Sequence, residues 1–209
     1  MIPSDTTSGL PALGKAQRTR ARLVEATCEE ISEHGSFTAE RVARRAGTSV
    51  ATFYVHLPTK TVALTAAFAK VMDELVEVVE AHLQVDGLQR AGLEAMMQAF
   101  VEASVAFFTS RSLVMRKGLA GLPDSQELRR VYRDHEALAF ERFVDFISNG
   151  QAHGFIRSGN VDELARIFLV LSQGLNNPLL LDQEARSTLS SKMTDVFVGW
   201  LGPSCETDP

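Results

Sequence analysis

Residues 38–60, TAERVARRAGTSVATFYVHLPTK, constrain the fold of this chain more than any other stretch. They read as helix, tight turn, helix, stop. Thr38 is expected to cap a first short helix whose buried positions are Val42 and Ala43. Gly47 supplies the turn, because a residue without Cβ accepts the left-handed backbone of a sharp reversal. Ser49 is expected to cap a second helix that presents Val50, Ala51 and Thr52 in its first turn. Phe53 falls on the inner face, while Tyr54 and His56 are free to point outward. Pro58 forbids continuation, and Thr59 then caps a further helix with Lys60 in its first turn. Two helices joined by a three- or four-residue turn containing glycine form a helix-turn-helix, whose second helix is built to enter a major groove.

The run Arg41–Val42–Ala43–Arg44–Arg45–Ala46–Gly47–Thr48–Ser49, followed by Thr52–Phe53–Tyr54–Val55–His56–Leu57 and Thr59–Lys60, resembles the DNA-binding head of the TetR family of transcriptional repressors. The resemblance covers roughly residues 18–65 and carries several motif positions in one order. It implies that Thr38, Tyr54, His56 and Lys60 contact phosphates and that Ser49, Val50, Ala51 and Thr52 face base edges. It also implies a homodimer built from the last two helices of each subunit, and an apolar or amphipathic small-molecule effector held in the body. The chain departs from the family pattern in two places. Only Ser36 and Phe37 separate Gly35 from Thr38, and Leu57 stands where an aromatic is common.

The charge distribution fits such a head. The 209 residues carry a net charge of −5, yet residues 1–60 hold eight Lys/Arg against six Asp/Glu, and the remainder holds thirteen against twenty. A mildly basic head on an acidic body suits a protein that turns one end to DNA. Lys15, Arg18, Arg20 and Arg22 form the densest basic cluster, readable either as a solvated helix start or as phosphate contacts. With 45% hydrophobic and 22% charged residues, the composition is that of an ordinary globular protein. No run of about 18 apolar residues is evident, so no membrane span is expected. The N-terminus lacks the cationic start and apolar segment of a signal peptide, which favours a cytoplasmic location. Cys28 reads as a small core residue of the first helix, and Cys205 falls in a polar tail.

Helical periodicity dominates the rest of the chain, and no segment shows strand alternation with hairpin signals. A flexible arm is expected over residues 1–14, a helix-turn-helix domain over 15–60, a ligand-binding and dimerisation domain over 61–202, and a disordered tail over 203–209. The first helix is read from Lys15 to His34, stopped by Gly35. A long helix over 62–84 carries Leu64, Phe68, Met72, Leu75 and Val79 on one stripe. Asp86–Gly87 reads as a break, followed by a helix to about Ser110 and a short segment from Leu113 to Leu119. Ser125 opens a helix reaching His153, Asn160 caps one that is apolar nearly all round, and Gln183 to Leu201 forms the last. The expected architecture is all-α, with a three-helix head and a larger helical body.

Catalytic constellations are missing from the sequence. His135–Glu136 begins like a zinc-protease motif, but Ala139 occupies the place of the second histidine. The five histidines are scattered, no nucleophile stands beside a base, and neither a metal nor a cofactor is expected. A small-molecule site is expected from Met97, Phe100, Phe107 and Phe143, which supply apolar material to the middle of the body, and from polar Tyr132, Gln173 and Asn176. Each apolar member is also readable as core, and Asn176 as a helix-end residue. Gln173 interrupts the most apolar helix without a local reason, which makes it the expected polar anchor. The reading is a homodimeric repressor that binds a double-stranded operator and is released by a small effector. The alternative is a helical small-molecule or protein-binding module without specific DNA binding.

Overall fold

The computed structural model describes residues 14–203, so the N-terminal arm before Gly14, the end of the tail and Cys205 lie outside the described residues. Within them the chain is helical and contains no strand. The helices are α1 (Lys15–His34), α2 (Ala39–Arg45), α3 (Val50–His56), α4 (Lys60–His82), α5 (Val85–Ala120), α6 (Gln126–Ala152), α7 (Val161–Gln173) and α8 (Gln183–Leu201). Two short 3-10 turns, Gly174–Asn176 and Pro178–Leu181, join α7 to α8. The chain divides into two compact units between Ala67 and Phe68.

In the first unit, the caps written into the sequence set the helix starts. The Thr38 hydroxyl accepts a hydrogen bond from the Arg41 N–H at 3.3 Å, and the Ser49 hydroxyl accepts one from the Thr52 N–H at 3.1 Å. The Thr59 hydroxyl does the same for Val62 at 3.1 Å. Gly47 takes φ 61°, the left-handed conformation that lets the chain reverse between α2 and α3. The turn brings Leu23 and Val24 of α1, Val42 of α2 and Phe53 of α3 into one core with Leu57. Phe53 and Leu57 are fully buried, each worth about 1.5–3 kcal/mol of transfer free energy. Ala63 belongs to the same core, so the first unit runs into α4 instead of ending before it, as the boundary expected after residue 60 would have it.

Charge holds α2 against α1. Glu30 is only 4% exposed. Arg45 Nε donates to one of its oxygens at 2.7 Å. Arg41 Nε lies 2.9 Å from the other, close enough for charge pairing but out of line for a hydrogen bond. Arg45 also grips Glu33 with a bidentate fork, an arrangement that holds the Glu33 carboxyl below its ordinary range. A nearly buried carboxylate needs such partners, because an uncompensated charge there is costly. Arg22 of α1 donates to the Ala46 and Gly47 carbonyls and so closes the C-terminal end of α2. Two arginines of the family-like run and one of the basic cluster are therefore occupied within the unit.

The second unit contains the rest of α4 and α5 to α8. Five phenylalanines meet at its centre. The Phe168 ring lies 4.7 Å from Phe143, 5.0 Å from Phe197, 5.6 Å from Phe100 and 6.4 Å from Phe146, mostly tilted or edge-on. These are the offset geometries that aromatic quadrupoles favour. Gly118 of α5 leaves room for the Phe68 ring of α4. A Cβ placed there would sit 2.1 Å from the Phe68 ring, so only hydrogen fits.

Two expectations about α5 are corrected. The interruption falls at Gly92 (φ 81°, ψ 168°), while Asp86 and Gly87 lie in the first turn, where an acidic residue suits the helix dipole. The helix also continues through Ser110 to Ala120. The Thr109 and Ser110 hydroxyls donate back to the Val105 and Phe107 carbonyls, so these polar residues are satisfied without ending the helix. By length and composition α5 is apolar enough to cross a membrane, contrary to the reading of the bare sequence. Its inward side, including Met97, Phe100 and Val101, is buried within the unit.

Candidate nucleic-acid interface and ligand cavity

The second helix of the helix-turn-helix, α3, turns Phe53 inward and leaves a polar and small-residue face to solvent. Ser49 and Thr52 are linked through their hydroxyls at 2.9 Å, which fixes the orientation of Thr52 on that face. Ala51 is exposed, and Tyr54 is exposed with its ring edge-on to Phe53 at 5.2 Å. Lys60 is exposed at the start of α4, and His56 is half-buried. Thr38 is half-buried. Its hydroxyl and the backbone N–H of Glu40 hold the Glu40 carboxyl below the ordinary range, the backbone N–H contributing more. Val50, expected at a base edge, is half-buried and packs against the core of the first unit.

Val55 is the residue the sequence reading passed over. It is 77% exposed, the most exposed large apolar side chain of α3. It stands four residues after Ala51 and three after Thr52, and residues at those spacings share a helix face. That spacing from the inward Phe53 was the available signal. An apolar side chain held in water on this face is available for apolar contact outside the chain.

In the second unit, a cavity of ≈ 250 Å³ lies among α4 to α7. Met72 and Val76 of α4, Phe108 and Met115 of α5 and Leu169 of α7 form its apolar walls. Its polar end is a small network. Glu136 Oε1 accepts from the Tyr132 hydroxyl at 3.1 Å and from Gln173 Nε2 at 3.0 Å. Burial, and then the Glu136 charge and its hydrogen bond, push the Tyr132 phenol up to about 12, so it stays a neutral donor. His135 also lines the space, with Nε2 2.8 Å from Asp73 Oδ1 and Nδ1 2.7 Å from the Val131 carbonyl.

Of the seven expected ligand residues, Tyr132, Gln173 and Asn176 line this cavity. Met97, Phe100, Phe107 and Phe143 do not. They are buried in the packing of the unit, and Phe100 and Phe143 belong to the aromatic cluster around Phe168. Gln173 ends α7 instead of interrupting it, and its amide is directed to Glu136 and Tyr132. Glu136, absent from the expected set, is the charged member of the network. A wider groove of ≈ 480 Å³ between α5 and α8 is lined by Val105 and Ala106 and by many polar side chains, among them Glu94, Glu102, Ser190 and Asp195.

Neither a family model nor a curated protein matches the sequence. Solved structures do match in shape. A protein from Mesorhizobium loti MAFF303099 described as a TetR-family transcriptional regulator superposes with a TM-score of 0.75 at 15% identity, covering 91% of this chain and 100% of its own. A TetR transcription regulator from Haloarcula marismortui superposes at 0.71 with 16% identity, covering 88% and 98%. A protein from Saccharomonospora viridis described as a transcriptional regulator, solved in complex with choline, superposes at 0.68 with 20% identity, covering 87% and 96%. With this coverage and with all eight helices among the described residues, the chain has the fold of the TetR-family transcriptional regulators.

Proposed function

We propose that this protein is a cytoplasmic DNA-binding transcriptional regulator that works as a homodimer, represses from a double-stranded operator and is released by a small apolar or amphipathic effector. The observation that carries the reading is the exposed face of α3, where Ala51, Thr52 and Val55 lie together beside Tyr54 and Lys60. In this reading Ser49, Ala51, Thr52 and Val55 read bases. Val50 contributes less because it is packed inward. Thr38, Tyr54, His56 and Lys60 hold phosphates and fix the register. The small side chains leave direct readout to Thr52 and to thymine methyls. The effector occupies the cavity among α4 to α7. The helix α4 begins in the first unit and ends in the second, so a ligand that favours one setting of α4 can alter DNA binding.

Exposed Val170, Leu179 and Val196 support the dimer. They lie on α7, on the 3-10 turn before α8 and on α8, the C-terminal segments the resemblance assigns to a partner. A symmetric dimer presents two α3 helices to half-sites spaced by about 34–36 Å per helical turn.

The deciding experiment is unbiased selection of genomic DNA fragments bound by the full chain. A regulator enriches a few pseudo-palindromic sites, and enrichment no better than that of total genomic DNA would refute the proposal. On the selected site, Lys60→Ala is expected to weaken binding similarly across sequences and to lower the slope of log affinity against log salt by about one unit. Val55→Ala is expected to do the opposite, leaving the slope unchanged and relaxing the preference at one base position. A Val55 variant with an unaltered sequence profile would remove that residue from the readout.

A further inference from the structure

The cavity of the second unit is lined by a carboxylate whose hydrogen-bonding partners among the described residues are neutral. Among its described lining residues Glu136 is the one carboxylate. The two groups that reach it, the Tyr132 hydroxyl and the Gln173 amide, are neutral and converge on the same oxygen. Among the described residues Glu136 makes no ion pair. His135 is paired with Asp73 at 2.8 Å. Arg133 and Arg166 line a second depression that shares Glu136, Leu169 and Gln173 with the cavity, and the Arg166 guanidinium lies over the Phe140 ring at 5.1 Å. Facing Met72, Phe108 and Met115, the Glu136 carboxylate is the one anionic acceptor the cavity offers a ligand.

We propose that the effector is a protonated amine with a short apolar body, its ammonium group seated on Glu136 and its hydrocarbon against Met72, Phe108 and Met115. This deepens the regulator reading by naming the chemical class of the effector. Size and shape argue for the amine. The volume of ≈ 250 Å³ falls below the roughly 300–1,000 Å³ of pockets for drug-sized ligands, so the ligand is small. Phe108 and Tyr132 supply two rings to the walls, fewer than an aromatic cage for a quaternary ammonium would use. An N–H-bearing ammonium instead donates directly to the carboxylate, the stronger, charge-assisted kind of hydrogen bond. A carboxylate ligand would face Glu136 across the cavity. An alcohol would leave the Glu136 charge as it is.

The test compares three probes of one length and different charge: hexylammonium, 1-hexanol and hexanoate. Each is titrated calorimetrically into the full chain without DNA. Hexylammonium is expected to bind at least about tenfold more tightly than either of the others, the difference a hydrogen bond to a charged group makes. Glu136→Gln, which keeps the shape, is expected to abolish that preference, its helical content by far-UV circular dichroism showing that it has folded. Equal affinities for the three probes, a preference for hexanoate, no heat from hexylammonium at millimolar concentration, or a preference that survives in Glu136→Gln would each overturn the proposal. The wild-type comparison alone decides if the variant fails to fold. The fragment selection separates the two readings. Enriched operator sites without an amine preference sink the effector class only, and an amine preference without enriched sites sinks the regulator only.

Discussion

Phe197→Glu is expected to abolish the fold of the second unit, whereas Val170→Glu is expected to yield a folded monomer. Both side chains lie on the C-terminal helices that sequence pattern and resemblance assign to a dimer face, and the structure separates them. Phe197 is fully buried, with its ring 5.0 Å from Phe168 and 6.1 Å from Phe100. A glutamate there loses the aromatic burial and places an unpaired charge in the core, costing several kcal/mol for the ion alone. A typical domain has only about 5–15 kcal/mol to lose. Val170 is 66% exposed, so a charge at that position stays hydrated in the free protomer and changes its stability by no more than about 0.5 kcal/mol. In a dimer that covers Val170, the same charge would be buried without a partner. Light scattering and far-UV circular dichroism on the two variants distinguish the outcomes. A Val170→Glu protein that remains dimeric would move the interface away from this face of α7. A folded Phe197→Glu protein would show that the ring is not core.

Phe168→Ala is expected to lower the unfolding free energy by about 3–5 kcal/mol, the range for removing a large aromatic from a core that relaxes only in part. Phe168 has a stronger claim to that range than its neighbours, because Phe100, Phe143, Phe146 and Phe197 all pack around it. Removing it leaves a void bordered by four rings whose backbones belong to three other helices, and such rings cannot all close in together. Urea unfolding followed by the fluorescence of Trp200, the single tryptophan of the chain, reports the second unit directly. A loss below about 1 kcal/mol would mean that the cluster is loosely packed and collapses on the space. The prediction is independent of DNA and effector, so it tests the architecture on its own.

The elements legible in the sequence were those whose cause is local. Gly35 at φ 66° ends α1 where the sequence stops it. Thr38, Ser49, Ser125 and Asn160 cap the helices that follow them, each hydroxyl or amide accepting from an N–H three residues on. A cap needs only the next turn of chain, so a single sequence displays it. The end of the expected α5 at Ser110 failed for a related reason. A serine or threonine reads as a stop when its hydroxyl competes for the backbone, but here the hydroxyls bond within the helix.

The sequence by itself determined the all-α class, the helix-turn-helix with its inward Phe53, and the placement of a Tyr–His–Lys set after it, because periodicity and capping act within a few residues. Tertiary structure alone decided the tasks of chemically similar residues. Arg41 and Arg45 bind Glu30 from another helix, a pairing set by how α2 lies on α1 and not by spacing along either. Phe100 and Phe143 fill the core while Phe108 and Met115 border a cavity, although all four are apolar and periodic. What separates them is whether a neighbouring helix brings a side chain or leaves a space opposite. Gln173 likewise acquired a reason only when α6 brought Tyr132 and Glu136 beside it. Local chemistry is written in neighbouring residues, but packing is a property of surfaces that meet only after the chain has folded.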